Sequence, residues 1–435
     1  MSILESLAEA HPLTPAAVRL KAALLFHGVD FDPCLGRAGE WAFPSHMPIT
    51  LLPGEPLHNG QNKFYTPQLI RFPDDTQARL RVKRESRFRI VDGGADRVFT
   101  LLEDGKPVTS LTFEPKLPWA EALTQDGTPM RASGLVQHGD MLVLNVAPGC
   151  EYFVVPKVGM AGKTDNMSCT FCLYGIPDPQ RLDALGQKLY EAGLPTQTLD
   201  RVAEACQHPE THARHLYLVG GSMLSMAAEG ERYLQISRHL AERGLTERYY
   251  VACGSGAIER GHMEQMKDAG VRGACFNLEV WDPAQFARIC PGKNASVGRD
   301  RWLASLEEAV DVFGAGNVMS AFVGGAELEG EGAFRSAEEA LESNLAAAEY
   351  LIPRGIVPTW SIFWKVTGKA RGEESFYTLD LFLRLNEATA ALRAKAKRFT
   401  NPEFFCRRCA YMELEPDFDF SQFYSTSVSS PSSLP

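Results

Sequence analysis

Residues 165–172 read Asp-Asn-Met-Ser-Cys-Thr-Phe-Cys, and their chemistry is that of a metal-binding loop. Cys169 and Cys172 stand two residues apart with an aromatic, Phe171, just before the second. Thiolates at that spacing let one short loop wrap a corner of an iron–sulfur cluster. A third thiolate would be expected four residues before Cys169, where the chain carries Asp165. Three readings follow. Asp165 ligates iron as a hard carboxylate. Cys150 supplies the third thiolate from farther away. Or the site has no cluster, and the pair is an ordinary structural CxxC.

The elements that must position this loop follow from the pattern around it. Downstream, short apolar runs alternate with helical stretches. His215–Val219 leads through Gly220-Gly221-Ser222 to a helix ending near Arg243. Tyr249–Cys253 leads through Gly254-Ser255-Gly256 to a helix over 258–269. Gly273–Val280, Val318–Val323 and Val357–Trp364 continue the series, each followed by helix, the last over about 376–397. With Glu151–Val155 as the first strand and a helix over 179–192, this makes six β-then-α units. Such alternation predicts an α/β fold with a parallel sheet, a partial (β/α)6 TIM-like barrel.

Before it, a helix over 15–26 and short β-like runs (80–83, 88–91, 98–102, 111–113, 141–144) separated by turn residues predict a smaller β-rich N-terminal accessory domain. The divisions expected are 1–147 for that domain, 148–400 for the barrel, 401–420 for a C-terminal CxxC extension, and 421–435 for a disordered Ser/Pro tail.

Composition narrows the class. The 435 residues carry a net charge of −10, which leans away from nucleic acid as the main partner. No apolar run approaches the roughly 20 residues of a membrane span, and no secretion signal is visible. Ten cysteines are too sparse for a secreted disulfide scaffold, so a reducing, cytoplasmic setting is expected. Neither HExxH nor GxxxxGK[ST] occurs, which removes the zinc-hydrolase and P-loop readings.

Placed after the first strand of a six-unit barrel, residues 165–172 resemble the C-x3-C-x-aromatic-C signature of the radical S-adenosylmethionine (SAM) superfamily, with Asp165 at its first cysteine position. The resemblance covers roughly 150–400. It implies an enzyme whose [4Fe–4S] cluster binds SAM at an open iron and cleaves it to methionine and a 5′-deoxyadenosyl radical. That radical would take hydrogen from a small-molecule substrate. It also implies an electron donor such as flavodoxin or ferredoxin. The metal residues would be Asp165, Cys169 and Cys172.

Gly220-Gly221-Ser222 is similar to the family's Gly-Gly-Glu segment, which receives the amino group of SAM; Ser222 replaces the acid. Its plain alternative is a tight turn. Ser255 between two glycines would meet the ribose or carboxylate of SAM, again with a turn as the alternative. Glu279 lies in an apolar stretch, where an unpaired carboxylate is costly, so a functional role is favoured. Asn277, two residues before it, is expected to share its face. Arg288 in the next helix is the candidate arginine for SAM, or else a surface charge. Phe171 completes the cofactor-binding set. The Gly324-Gly325 segment is similar to one packing near adenine, while Lys365 reads as a solvated loop lysine. No catalytic residue is assigned.

Cys406 and Cys409 lie beyond the barrel and form half of a zinc or cluster site, or a redox pair. The alternative to the enzyme is a barrel that has lost its cluster and serves as a binding or non-redox protein. Asp165 and Ser222 both count toward it.

Overall fold

The computed structural model describes residues 1–45, 48–147, 149–160, 162–172, 194–362 and 379–424. They form two compact units. The first takes Met1–Leu117 and the chain from Phe405 onward; the second runs from Pro118 to Phe404.

The first unit is built on a five-stranded antiparallel sheet. Its strands are β1 (Leu69–Arg71), β2 (Gln77–Arg79), β3 (Phe88–Ala95), β4 (Val98–Glu103) and β5 (Lys106–Phe113), in the order β2-β1-β5-β4-β3. Strand β4 buries every second residue, Phe99, Leu101 and Glu103, as a sheet with one covered face requires. The predicted strand over 80–83 does not form; Val82 makes only an isolated bridge with Val29. The first helices are α1 (Ile3–Ala10) and α2 (Ala16–His27). The C-terminal segment belongs to this unit too. It ends in a helix, Glu415–Tyr424, and Lys21 of α2 donates 2.6 Å to Asp417 of that helix, both fully buried. The helix occupies 415–424, so the first residues expected in a disordered tail are ordered; residues 425–435 lie outside the described ones.

The second unit is an α/β half-barrel. Its sheet has seven strands: β6 (Leu135–His138), β7 (Met141–Ala147), β8 (His215–Gly220), β9 (Tyr250–Ser255), β10 (Val271–Phe276), β11 (Val318–Gly324) and β12 (Ile356–Ile362). Strands β7 to β12 are parallel and lie side by side in chain order, and β6 adds one antiparallel edge. Among the described residues the sheet does not close on itself. Strands such as β9 and β12 are buried along nearly their whole length, because helices cover one face and the barrel interior the other.

Two expectations are corrected here. The first parallel strand is Met141–Ala147, whose apolar run reads equally well as the last strand of an antiparallel sheet. Glu151–Val155 is not a strand: Glu151–Phe153 forms a short 3-10 turn, and Val155–Pro156 pairs only with Thr164–Asp165 in a small hairpin. Tyr152 and Phe153 sink into an apolar cluster with Cys150 in place of finding a sheet partner. The two compact units divide at 117/118. The helix expected over 179–192 lies outside the described residues, as does Lys365.

Candidate active site

The chemistry-bearing residues collect at the C-terminal ends of the parallel strands, where the loops of such barrels are free to vary. The cysteine loop is held there by backbone bonds on two sides. Met167 donates to the carbonyl of Tyr152 (2.7 Å), Gly292 donates to that of Met167 (2.8 Å), and Thr170 donates to that of Ile289 (2.9 Å). The loop therefore lies between the segment after β7 and the junction of α3 (Pro283–Ile289) with α4 (Pro291–Ser296). Gly292 is required there: a β-carbon on it would come 2.5 Å from the Tyr152 ring and 2.6 Å from the Met167 carbonyl.

This docking gathers thiols far apart in sequence. Cys169 is buried and its thiol is hydrogen-bonded to that of Cys290. Cys172 and Cys150 belong to one apolar cluster with Tyr152 and Phe153. The Cys290 contact, aided by the positive charge of Lys293, holds the Cys169 thiol below its usual range against the opposing effect of burial. Burial pushes Cys150 up to about 12, and the charges of Cys169 and Cys172 add to that rise. The donor set fits an iron–sulfur cluster.

Asp165 is elsewhere in its interactions. It lies on the exposed hairpin, its carboxylate 2.6 Å from the Lys157 ammonium, and its side chain is 54% exposed.

The glycine turns are packed by the protein's own atoms. A β-carbon on Gly221 would meet the Gly149 carbonyl at 2.3 Å and the Cys150 α-carbon at 2.6 Å; one on Gly220 would meet Ala147 at 2.6 Å. One on Gly254 would meet the Tyr217 hydroxyl at 2.1 Å. Ser222 accepts from the Glu151 amide (2.9 Å) through its carbonyl, and the Glu151 carboxylate accepts from Leu224 (2.6 Å). Ser255 donates to the Gly256 carbonyl (2.8 Å). A residue not foreseen in sequence ties the two turns together. Glu229, fully buried near the start of the helix after β8, accepts from Met223 (2.9 Å) and from Gly256 (2.5 Å). Burial raises its carboxyl to about 7.

Glu279 lies past the end of β10, not within the strand, with φ +73°. It bridges to Phe322 of β11, donating to Ala321 (3.0 Å) and accepting from Val323 (3.0 Å). Its carboxylate accepts from Lys293 at 2.9 Å, and the same ammonium donates to the Asn277 carbonyl at 2.6 Å and lies 4.6 Å from the Trp302 ring centre. The neighbouring negative groups, Glu279 foremost, raise the Lys293 pKa despite the opposing effect of its burial. Asn277 serves the fold: its side-chain oxygen accepts from Ala321 (3.1 Å) and from the Cys275 thiol (3.0 Å).

Arg288 is committed to Gln285 (2.9 and 2.6 Å) and the Glu329 carbonyl (2.9 Å). Phe171 is half-buried beside Cys172. At the end of β11, Glu327 is buried, accepts from Asn344 (2.8 Å) and the Gly325 amide (3.1 Å), and is raised by burial to about 7. In the first unit the Cys406 and Cys409 sulfurs stand 3.1 Å apart.

Lys293, Cys290, Glu229 and Glu327 were not singled out from sequence. A lysine in a short helix reads as a surface residue, and an acid in a helix's first turn reads as a dipole partner. Only the run Cys290-Pro291-Gly292-Lys293 carried a signal, in its glycine beside a proline.

Fold and loop define an open, parallel α/β barrel with a cysteine loop at its mouth. No family model matches the chain. It is 22% identical over 361 residues to a bacteriochlorophyllide c C-7(1)-hydroxylase of Chlorobaculum limnaeum, covering 80% of this chain and 82% of that one. Among solved structures it overlaps weakly with methylornithine synthase (12% identity, TM-score 0.38, 59% of this chain and 69% of the other). A maturase of the [FeFe]-hydrogenase overlaps similarly (13%, TM-score 0.40, 62% and 55%). Nothing about the site follows from overlaps of that size. The loop that resembles the radical SAM signature thus lies at the mouth of the parallel barrel, in a chain similar along most of its length to that hydroxylase. Among the described residues no helix is long and apolar enough to cross a membrane.

Proposed function

We propose that the protein binds a [4Fe–4S] cluster through its 165–172 loop and uses SAM to remove a hydrogen atom from a small-molecule substrate, drawing its electron from a small reductant protein such as flavodoxin or ferredoxin. The observation that carries this reading is the buried Cys169, docked with Cys172 at the mouth of the parallel barrel and facing the Lys293 charge. Bound there, the cluster would supply the electron that opens SAM, and with it the means of breaking a strong C–H bond.

The chain's own residues do the positioning. Backbone bonds from Thr170 and Met167 fix the loop, and Glu229 braces the two glycine turns between which SAM would approach. Lys293 anchors the Glu279 carboxylate and sets the charge beside the loop. Cys150, Tyr152 and Phe153 exclude water from the inner side of the loop. The Chlorobaculum limnaeum relative is named a hydroxylase, and hydroxylation replaces a C–H bond by C–OH, which agrees with this class of reaction.

The test is anaerobic reconstitution with iron and sulfide. About four irons per chain, with broad visible absorption lost in Cys169→Ala, are expected. A protein that takes up no iron under these conditions is the cluster-less barrel instead.

A further inference from the structure

We infer that Cys150, and not Asp165, is the third protein ligand of the cluster, so that the iron site is Cys150, Cys169 and Cys172. The inference rests on the function proposed above and deepens it.

Cys150 follows β7, the first parallel strand, and is nine-tenths buried. Its position is fixed from behind: Gly221 leaves no room for a β-carbon against the Cys150 α-carbon, and the next amide, Glu151, is tied to Ser222 at 2.9 Å. The side chain shares an apolar cluster with Cys172, and the electrostatic influence of both loop cysteines reaches it. Cys150 thus packs against the loop that carries Cys169 and Cys172, the two segments being joined by the Met167–Tyr152 backbone bond.

The two competitors are placed differently. Asp165 has its carboxylate on Lys157 at 2.6 Å, in an exposed hairpin, so ligation would break that pair and swing the hairpin inward. Cys290 is in hydrogen-bond contact with Cys169. Thiolates capping different irons of a cube stand farther apart than such contact, so Cys290 is a donor to a ligand sulfur, a role that tunes a cluster without holding it. Three thiolates leave the fourth iron open, as SAM binding requires. The softer thiolate also suits iron–sulfur chemistry better than a carboxylate.

The test uses the full-length chain, reconstituted anaerobically, with iron and sulfide counted and the reduced cluster examined by electron paramagnetic resonance. Cys150→Ala is expected to lower iron retention at least roughly tenfold, since even an outer partner of a ligand is worth that much. Asp165→Ala is expected to retain iron and spectrum within error of the wild type. Should Cys150→Ala fold poorly, Cys150→Ser keeps the side chain's shape, and its shifted resonance at an unchanged melting temperature decides the point. A wild-type spectrum and iron count in Cys150→Ser, with loss in Asp165→Ala, overturns the assignment while leaving the enzyme reading intact. A wild type that binds no iron overturns both.

Discussion

Lys293 and Glu279 form a buried ion pair, 2.9 Å apart, with side chains only 8% and 14% exposed. The lysine comes from the short helix after β10, and the glutamate from the turn that crosses to β11 in a left-handed conformation. Such a backbone costs about 1–3 kcal/mol and persists only where surroundings fix it. Here the backbone bonds to Ala321 and Val323 hold it, and the ion pair anchors the side chain.

Removing one partner should therefore be expensive. Lys293→Met leaves a carboxylate buried and unpaired, and a loss of about 3–5 kcal/mol in unfolding free energy is expected by denaturant titration. Lys293→Met combined with Glu279→Leu should recover a large part of that loss. A single variant within about 0.5 kcal/mol of wild type would show that the pair holds nothing.

The two buried acids at the strand ends make stability fall with rising pH. Glu229 and Glu327 are each raised from 4.5 to about 7 by burial. A carboxyl whose folded pKa is raised contributes stability below its unfolded value, and that contribution is lost as pH climbs through the folded one. The window is thus about pH 4.5 to 7, worth at most about 3 kcal/mol for each group. Melting temperatures should drop across that range, and the slope should be shallower in Glu327→Gln. That variant should also be weaker at pH 5, having lost one of the two acceptors used by Asn344 and Gly325. Equal slopes in variant and wild type would contradict the assignment.

How far the sequence foretold this arrangement depends on distance along the chain. The β/α units from His215 onward were legible because each apolar run ends in a glycine turn before a helix. The first strand was not, since Met141–Leu144 continues a series of short strands and Glu151–Val155 is rich in β-formers. What decided it was the sinking of Tyr152 and Phe153 into a local core, a tertiary effect that propensity does not carry. Cys169 and Cys172 were legible by spacing. The contact of Cys169 with Cys290 was not, because the two stand 121 positions apart (290 − 169) and no local pattern records such a contact. Asn277 and Arg288 stand out in the sequence by type alone, while the fold commits both to partners of its own.

The first unit depends on both ends of the chain. Lys21 is buried on Asp417, and Arg79 donates through its backbone to Tyr411 (2.9 Å). Ending the chain after Phe404 strands the Lys21 charge in an apolar interior. Loss of the cooperative unfolding transition of residues 1–117 is expected by calorimetry, and Lys21→Met in the full chain should be far milder than the truncation. A truncated protein that melts like the full chain would refute this.

Gly221 links backbone packing to the site. Its missing β-carbon leaves space for Gly149 and Cys150, both met through backbone atoms that do not yield cheaply. Gly221→Ala should cost about 1–3 kcal/mol by overpacking and displace Cys150. Lower iron retention after reconstitution is the expected readout, and unchanged retention would separate this turn from the iron site.

A barrel that opens SAM reductively must release a nucleoside, and that product is measured directly. The reconstituted protein, supplied with SAM and a strong one-electron reductant, should yield 5′-deoxyadenosine and methionine. The yield should vanish in Cys169→Ala and Cys172→Ala. A wild-type protein that carries about four irons per chain, and binds SAM, yet releases no 5′-deoxyadenosine above the Cys169→Ala background would contradict the account.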